Sequence, residues 1–184
     1  MKNENTRTRK TNVGAFIAAL VCVTLLTAVI AGCTTNSKDE SEDVSLSDVV
    51  DDLLVDVDVP AYEALTLDEE TFSAFTFIPY EDGLSAIAAD ALVNITPHSL
   101  VVIHTDSSNG KELAEEIIKN ADPNKWLCVG SETVNVGYTD NYVVLVMSYK
   151  DVAEDIMDNF EDMAIGLDGM EMTLLTADNT IRYE

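Results

Sequence analysis

Hydrophobic positions recur along this chain in two rhythms, a helical one of 3.6 residues and a strand-like one of short continuous runs. Leu46, Val49, Val50, Leu53, Leu54 and Val57 follow the spacing i, i+3, i+4, i+7, i+8, i+11, the stripe of an amphipathic helix. Ser45 with Asp48 three residues on resembles a capping box, and Pro60 marks the stop. Asp51, Asp52 and Asp56 fall on the other face, which reads as solvated. Residues 61–83 are ambiguous. Thr66 to Glu70 resembles a capped short helix, and the aromatic cluster Phe72, Phe75, Phe77 and Tyr80 suits a helix at one spacing and a strand at another. Leu84, Ile87, Ala88, Ala91 and Leu92 fit a helical stripe, so the pattern predicts a helical turn running into a strand near 91–96.

The signals sharpen after the turn at Pro97-His98. Ser99–Thr105 (SLVVIHT) is a β-branched run typical of a central strand buried on both faces. A loop at Asp106–Gly110 leads to a helix over Lys111–Asn120, with Leu113, Ala114, Ile117 and Ile118 inward. Asn109 with Glu112 supplies its start signal, and Pro123 follows its end. Trp126–Tyr138 and Tyr142–Ser148 read as two strands joined across Thr139-Asp140-Asn141. Ser148 opens a last long helix carrying Val152, Ile156, Phe160 and Met163 on one face. The tail after Gly166 adds a candidate strand at Met170–Thr176. The order is a helix and then two strand–strand–helix units. It predicts an α+β fold, a mainly antiparallel sheet of about four strands with helices packed on one face.

The amino end has a different pattern. Val13 to Gly32 is a run of 20 uncharged residues preceded by Lys2, Arg7, Arg9 and Lys10, and it closes on Ile30-Ala31-Gly32-Cys33. Basic flank, apolar run and small residues make up a secretory signal, and the cysteine directly after Ala-Gly resembles a bacterial lipobox. In proteins with that motif the cysteine sulfur, here Cys33, receives a diacylglycerol and cleavage makes it the new amino terminus. The competing reading is an uncleaved anchor, since 20 residues suffice to span a bilayer. Both readings put the rest of the chain outside the membrane. The expected organisation is a signal peptide at 1–32, an acidic flexible tether at 33–44 and a single domain at 45–184. The tether (TTNSKDESEDV) has no aromatic residue and too little apolar surface to fold by itself.

Charge sharpens the picture. The chain has 10 basic and 34 acidic residues, a net charge of −24. Four of the basic residues and Glu4 precede Cys33, which leaves 6 basic against 33 acidic, a net charge near −27. Such a field repels nucleic acid and anionic lipid and favours cations or basic partners, and it also keeps an extracytoplasmic protein soluble. The partners expected are the membrane, through the lipid on Cys33, and a protein or cell-envelope ligand of basic character, with no nucleic acid. With Cys22 in the apolar run and Cys33 lipidated, Cys128 is the remaining thiol. Its run Trp126-Leu127-Cys128-Val129 predicts a buried small hydrophobe.

The lipobox, the acidic tether, the first amphipathic helix, the strand SLVVIHT ahead of a short helix, and the segment TDNYVVLVMS ahead of a final helix together resemble a known family. It comprises small lipoproteins of Gram-positive bacteria catalogued only as a domain of unknown function. The resemblance covers roughly Leu46 to Met163 and rests on patterning. It implies a single α+β domain and carries over no reaction, cofactor or catalytic residue.

Candidate chemistry is sparse. His98 and His104 share a face if both lie on one extended strand, but six residues separate them by roughly 20 Å, too far for one metal ion. Ser108-Asn109-Gly110-Lys111 has the Ser-x-x-Lys spacing of penicillin-binding proteins, yet the companion motifs are missing and helix capping accounts for the residues. Asp106-Ser-Ser-Asn-Gly-Lys-Glu begins like a calcium loop, but glycine falls fifth instead of sixth and the twelfth residue is Ile117. Met147, Met157, Met163, Met170 and Met172 invite a copper(I) reading, and core packing explains them better. Asn94-Ile95-Thr96 matches a glycosylation sequon, irrelevant in a bacterial lipoprotein. No catalytic, cofactor or metal residue is assigned. The expected function is a non-catalytic binding or interaction module. The alternative is a cell-envelope hydrolase with paired carboxylates, which needs two inward-facing acids sharing a cleft.

Overall fold

The computed structural model describes residues 44–93 and 95–179. In chain order these form α1 (Leu46–Leu53), β1 (Tyr62–Leu67), α2 (Phe72–Thr76), β2 (Leu84–Ala91), β3 (Ser99–Thr105), α3 (Gly110–Asn120), β4 (Thr133–Tyr138), β5 (Tyr142–Ser148), α4 (Lys150–Asp168) and β6 (Thr173–Asp178). The strands make one antiparallel sheet in the order β1-β2-β3-β5-β4-β6. The α+β class therefore holds. The sheet has six strands where the pattern suggested about four.

The helices cover both faces of the sheet, not one. Val101, Ile103, Val143 and Leu145 point to the side of α2 and α3, where Phe72, Leu113, Ala114 and Ile117 meet them. Leu100, Val102, Val144 and Val146 point to the side of α1 and α4, against Val49, Val50, Leu53, Ile156 and Phe160. Successive strand residues alternate faces, so a strand that is apolar at every position needs a cover on each side. A single layer of helices would have left one of these rows in water.

The ambiguous stretch resolves into strands. Leu84–Ala91 is β2, and its i, i+3, i+4 spacing is a by-product of an apolar run buried on both faces. The expected short helix at Thr66–Glu70 is the end of β1 and a turn. Asp68 closes that turn by accepting from the amides of Glu70 and Thr71 (3.1 and 2.9 Å) and from the Thr71 hydroxyl (2.7 Å). That hydroxyl, followed by the amides, holds the Asp68 carboxyl below its ordinary value.

Three boundaries also move. β4 begins at Thr133, so Trp126 to Glu132 is loop, tied down where the Ser131 amide donates to the Pro123 carbonyl (2.9 Å). Ser148 ends β5 and does not open α4; the Lys150 amide is capped from outside the helix by the Glu132 carboxylate (3.0 Å). Helix α4 runs on to Asp168 and stops at Gly169, which takes the left-handed conformation (φ +69°) that glycine allows. At the other end of the sheet, Gly110 starts α3 against the β4–β5 turn. Its amide donates to the Asp140 carbonyl (2.9 Å), and a Cβ there would run into the Thr139 carbonyl.

The lipobox and the tether lie outside the described residues, apart from Val44 at the tether's end. No helix among the described residues is long and apolar enough to cross a membrane.

Candidate functional site

A cleft lies at the amino end of α4. It encloses about 820 Å³ between the segment Asp58–Pro60, the side chains of Thr96 and Glu132, and the turn from Ser148 into the first turns of α4. Its charge is lopsided: Asp58, Glu132, Asp151, Glu154 and Asp155 line it against one base, Lys150. Val59, Pro60 and Val152 supply apolar wall. Two of the acids serve the helix. Glu132 accepts from the Lys150 amide, and Asp151 accepts from the Val152 amide (2.9 Å), which offsets the positive end of the helix dipole. Lys150 Nζ lies 4.0 Å from Glu154 along the same helix face. All five carboxylates are exposed, whereas a general acid of the glycosidase kind is a carboxyl sheltered from water.

Ser148 joins this cleft to the core. Its Oγ lies 3.2 Å from Nδ1 of His98, and both residues are buried. Burial pushes the imidazole down to about 4, against the pull of nearby Asp90 and with help from Lys125. Nε2 is buried with no hydrogen-bond partner. A serine beside a neutral histidine suggests a nucleophile and its base. Here, however, Ser148 is only 1% exposed and no described acid orients the ring from Nε2. The pair pins the start of β3 to the end of β5.

A second polar cluster occupies the other face of the same sheet end. Lys125, in the loop after α3, donates from Nζ to Asp90 Oδ2 (3.0 Å) and Ser99 Oγ (2.9 Å), a register pair on β2 and β3. Its ammonium also stands 5.4 Å from the Phe75 ring and 5.1 Å from the Trp126 ring. Burial lowers the Lys125 pKa, and Asp90 works against that shift. Asp90 Oδ1 is buried and unpartnered. Sequence reasoning missed this cluster. The signals available were an aspartate inside an alanine-rich apolar run and a lysine next to the single tryptophan.

The sequence-predicted residues scatter. Ile30, Ala31, Gly32 and Cys33 lie outside the described residues. Cys128 is exposed and not buried, because its loop arches away from the sheet and leaves Leu127 95% exposed beside it. His98 and His104 stand at opposite ends of β3; His104 is half-buried, edge-on to Tyr142 (ring centroids 5.0 Å) and 3.7 Å from Asp106. Ser108 and Lys111 are not brought together. The serine donates to Asn141 Oδ1 (3.4 Å), while Lys111 pairs with Glu115 (3.7 Å). Asn109 does not cap α3 with its side chain, which instead accepts from the Thr105 hydroxyl (2.6 Å). Met157 and Met172 pack with Phe160 over Gly137, Met147 is buried on the opposite face, and Met170 is exposed. Among the described residues no group of three or more His, Cys, Asp or Glu is arranged to hold a metal ion. Asn94 of the sequon is outside the described residues.

Comparison of the chain with protein-family models, with curated proteins and with solved structures finds no match in any of the three.

Proposed function

We propose that this chain is a lipoprotein anchored through Cys33 to the outer side of the cytoplasmic membrane, and that its folded domain is a non-catalytic module binding a basic ligand at the amino end of α4. One observation carries the binding reading: a cleft of about 820 Å³ in which five carboxylates outnumber one lysine. Aliphatic wall beside those acids suits the long apolar stems of lysine or arginine side chains, whose charged heads then meet the carboxylates. The lipobox and the resemblance to Gram-positive lipoproteins support the address. A carboxylate hydrolase draws less support, since all five acids face water and two of them cap a helix.

Titration calorimetry of the full-length chain in mild detergent with a short oligolysine peptide tests the binding. Removing Asp58 and Asp155 together as asparagines should weaken it by roughly tenfold, with a steep salt dependence. Equal binding before and after would remove the cleft from the account. Mass spectrometry of membrane-extracted protein should find a diacylglyceryl Cys33 amino terminus; an intact Met1 would favour the uncleaved anchor.

A further inference from the structure

We propose that the outer edge of β6 is a second binding site, and that it takes an extended, basic segment of a partner protein as a further strand of the sheet. β6 is the last strand in the order, paired with β4 on one side and with no described residue on the other. Two hydrogen bonds fix which of its backbone groups face outward. The Thr139 amide of the β4–β5 turn donates to the Tyr142 carbonyl (2.9 Å), and just past β6 the Asn179 amide donates to the Glu132 carbonyl (2.9 Å). Backbone groups alternate sides along an antiparallel ladder. Both bonds therefore give the same answer: Thr173, Leu175 and Ala177 turn their amides and carbonyls to β4. Leu174 and Thr176 present theirs off the edge of the sheet, and both residues are exposed.

Such an edge is a template for another chain unless something blocks it. Between Glu171 and Asp178 the chain (MTLLTA) has no charge, proline or glycine, and six consecutive pairs with β4 leave no bulge. The opposite edge, β1, is entered through Pro60 and carries Glu63. The β6 edge also offers a side-chain surface. Leu174, on the α4 side with Gly137, is 45% exposed, while Leu175 packs on the α3 side. An added strand gains affinity from main-chain hydrogen bonds and selectivity from the side chains beside them. Here exposed carboxylates stand at both ends, Glu171 and Asp178, with no base between them. The fitting segment is therefore uncharged and β-branched along the edge, with a lysine or arginine at each end. A second copy of this chain brings the same two carboxylates and a net charge of −24, which makes it a poor occupant. No residue of β6 lines the α4 cleft, so the two sites can be lost separately.

The probe is a labelled peptide, Lys-Thr-Val-Thr-Val-Thr-Val-Lys, followed by fluorescence anisotropy against the full-length chain in mild detergent. Saturable binding is expected. The same peptide with its four central amides N-methylated keeps its charge but cannot donate along the edge, and should bind roughly tenfold or more weakly. Thr176→Pro removes an outward amide and no bond to β4, a change that an edge strand tolerates. It should weaken binding of the unmethylated peptide by a similar factor at an unchanged unfolding midpoint, and Leu174→Pro should act alike. Asp58→Asn with Asp155→Asn, which alters the α4 cleft alone, should leave the ratio between the two peptides as it was. The N-methylated peptide decides the matter even where a proline variant fails to fold. No saturable binding, equal binding of the two peptides, or folded proline variants that bind like the unaltered chain would each overturn the site. A dimer of the chain alone, seen by sedimentation and dissolved by Thr176→Pro, would give the edge to a second copy and overturn the proposal as well.

Discussion

At pH 7 the ring of His98 is neutral, because burial disfavours its charged form more strongly than Asp90 favours it. That balance fixes how the fold responds to acid. The folded chain takes the proton only near pH 4, whereas an unfolded one takes it at the ordinary value of 6.5. The unfolded state therefore binds more protons as pH falls from 6.5 to 4, and stability is lost across that window. Above pH 6.5 the residue contributes no slope. The linkage amounts to about 2 kcal/mol between pH 7 and 5 and about 3 kcal/mol in all. His98→Gln should be less stable at pH 7 yet show a flatter decline to pH 5, read from urea unfolding at each pH. An undiminished slope in the variant would assign the acid sensitivity elsewhere. None of this was legible at residue scale. His98 reads as a turn residue until β3 is laid beside β5, which puts Ser148, fifty positions on, within 3.2 Å of its ring. Cys128 fails in the same way, since a loop and a strand edge carry similar apolar letters and only the path of the chain separates them.

Elements with one strong rhythm were legible. The stripes of α1, α3 and α4 and the runs of β3 and β5 are set by local periodicity, and the core residues read from them are largely those that pack. The alanines of β2 carry little helix-or-strand information, and pairing with β1 and β3 decides the outcome. The covering of both faces was written in SLVVIHT and YVVLVMS, where every second apolar residue needs a partner on the far side. Glycines test the joints between elements. Gly110 has no room for a methyl group beside the Thr139 carbonyl, so Gly110→Ala should cost about 3 kcal/mol by displacing α3 from the β4–β5 turn. Gly166, within α4, has open space around its Cβ position, and Gly166→Ala should stabilise by up to about 1 kcal/mol through helix propensity. Denaturant midpoints with unchanged slopes would record both; a neutral Gly110→Ala would mean that the turn yields without cost.

Over the whole molecule the strongest physical feature is charge, −24 on 184 residues. Buried groups do not carry it. Of the ion pairs among the described residues, Lys125–Asp90 is the one withdrawn from water; Lys111–Glu115 and Lys150–Glu154 are exposed pairs that salt will screen. Mutual repulsion among the surface carboxylates acts against the compact state, and screening relieves it. Sodium chloride should therefore raise the melting temperature of the full-length chain by a few degrees, the small losses in exposed ion pairs being outweighed. Calcium separates a diffuse coat from a defined site. The cleft at α4 gathers five carboxylates, but no described set of three acidic or histidine side chains is placed to share one ion. Calcium at matched ionic strength should then add little beyond sodium, and magnesium should behave alike. A saturable rise with calcium that magnesium fails to reproduce would show the cleft acids converging on a cation. The acidic surface would then be a metal site, and a basic ligand would have to compete with the ion for it.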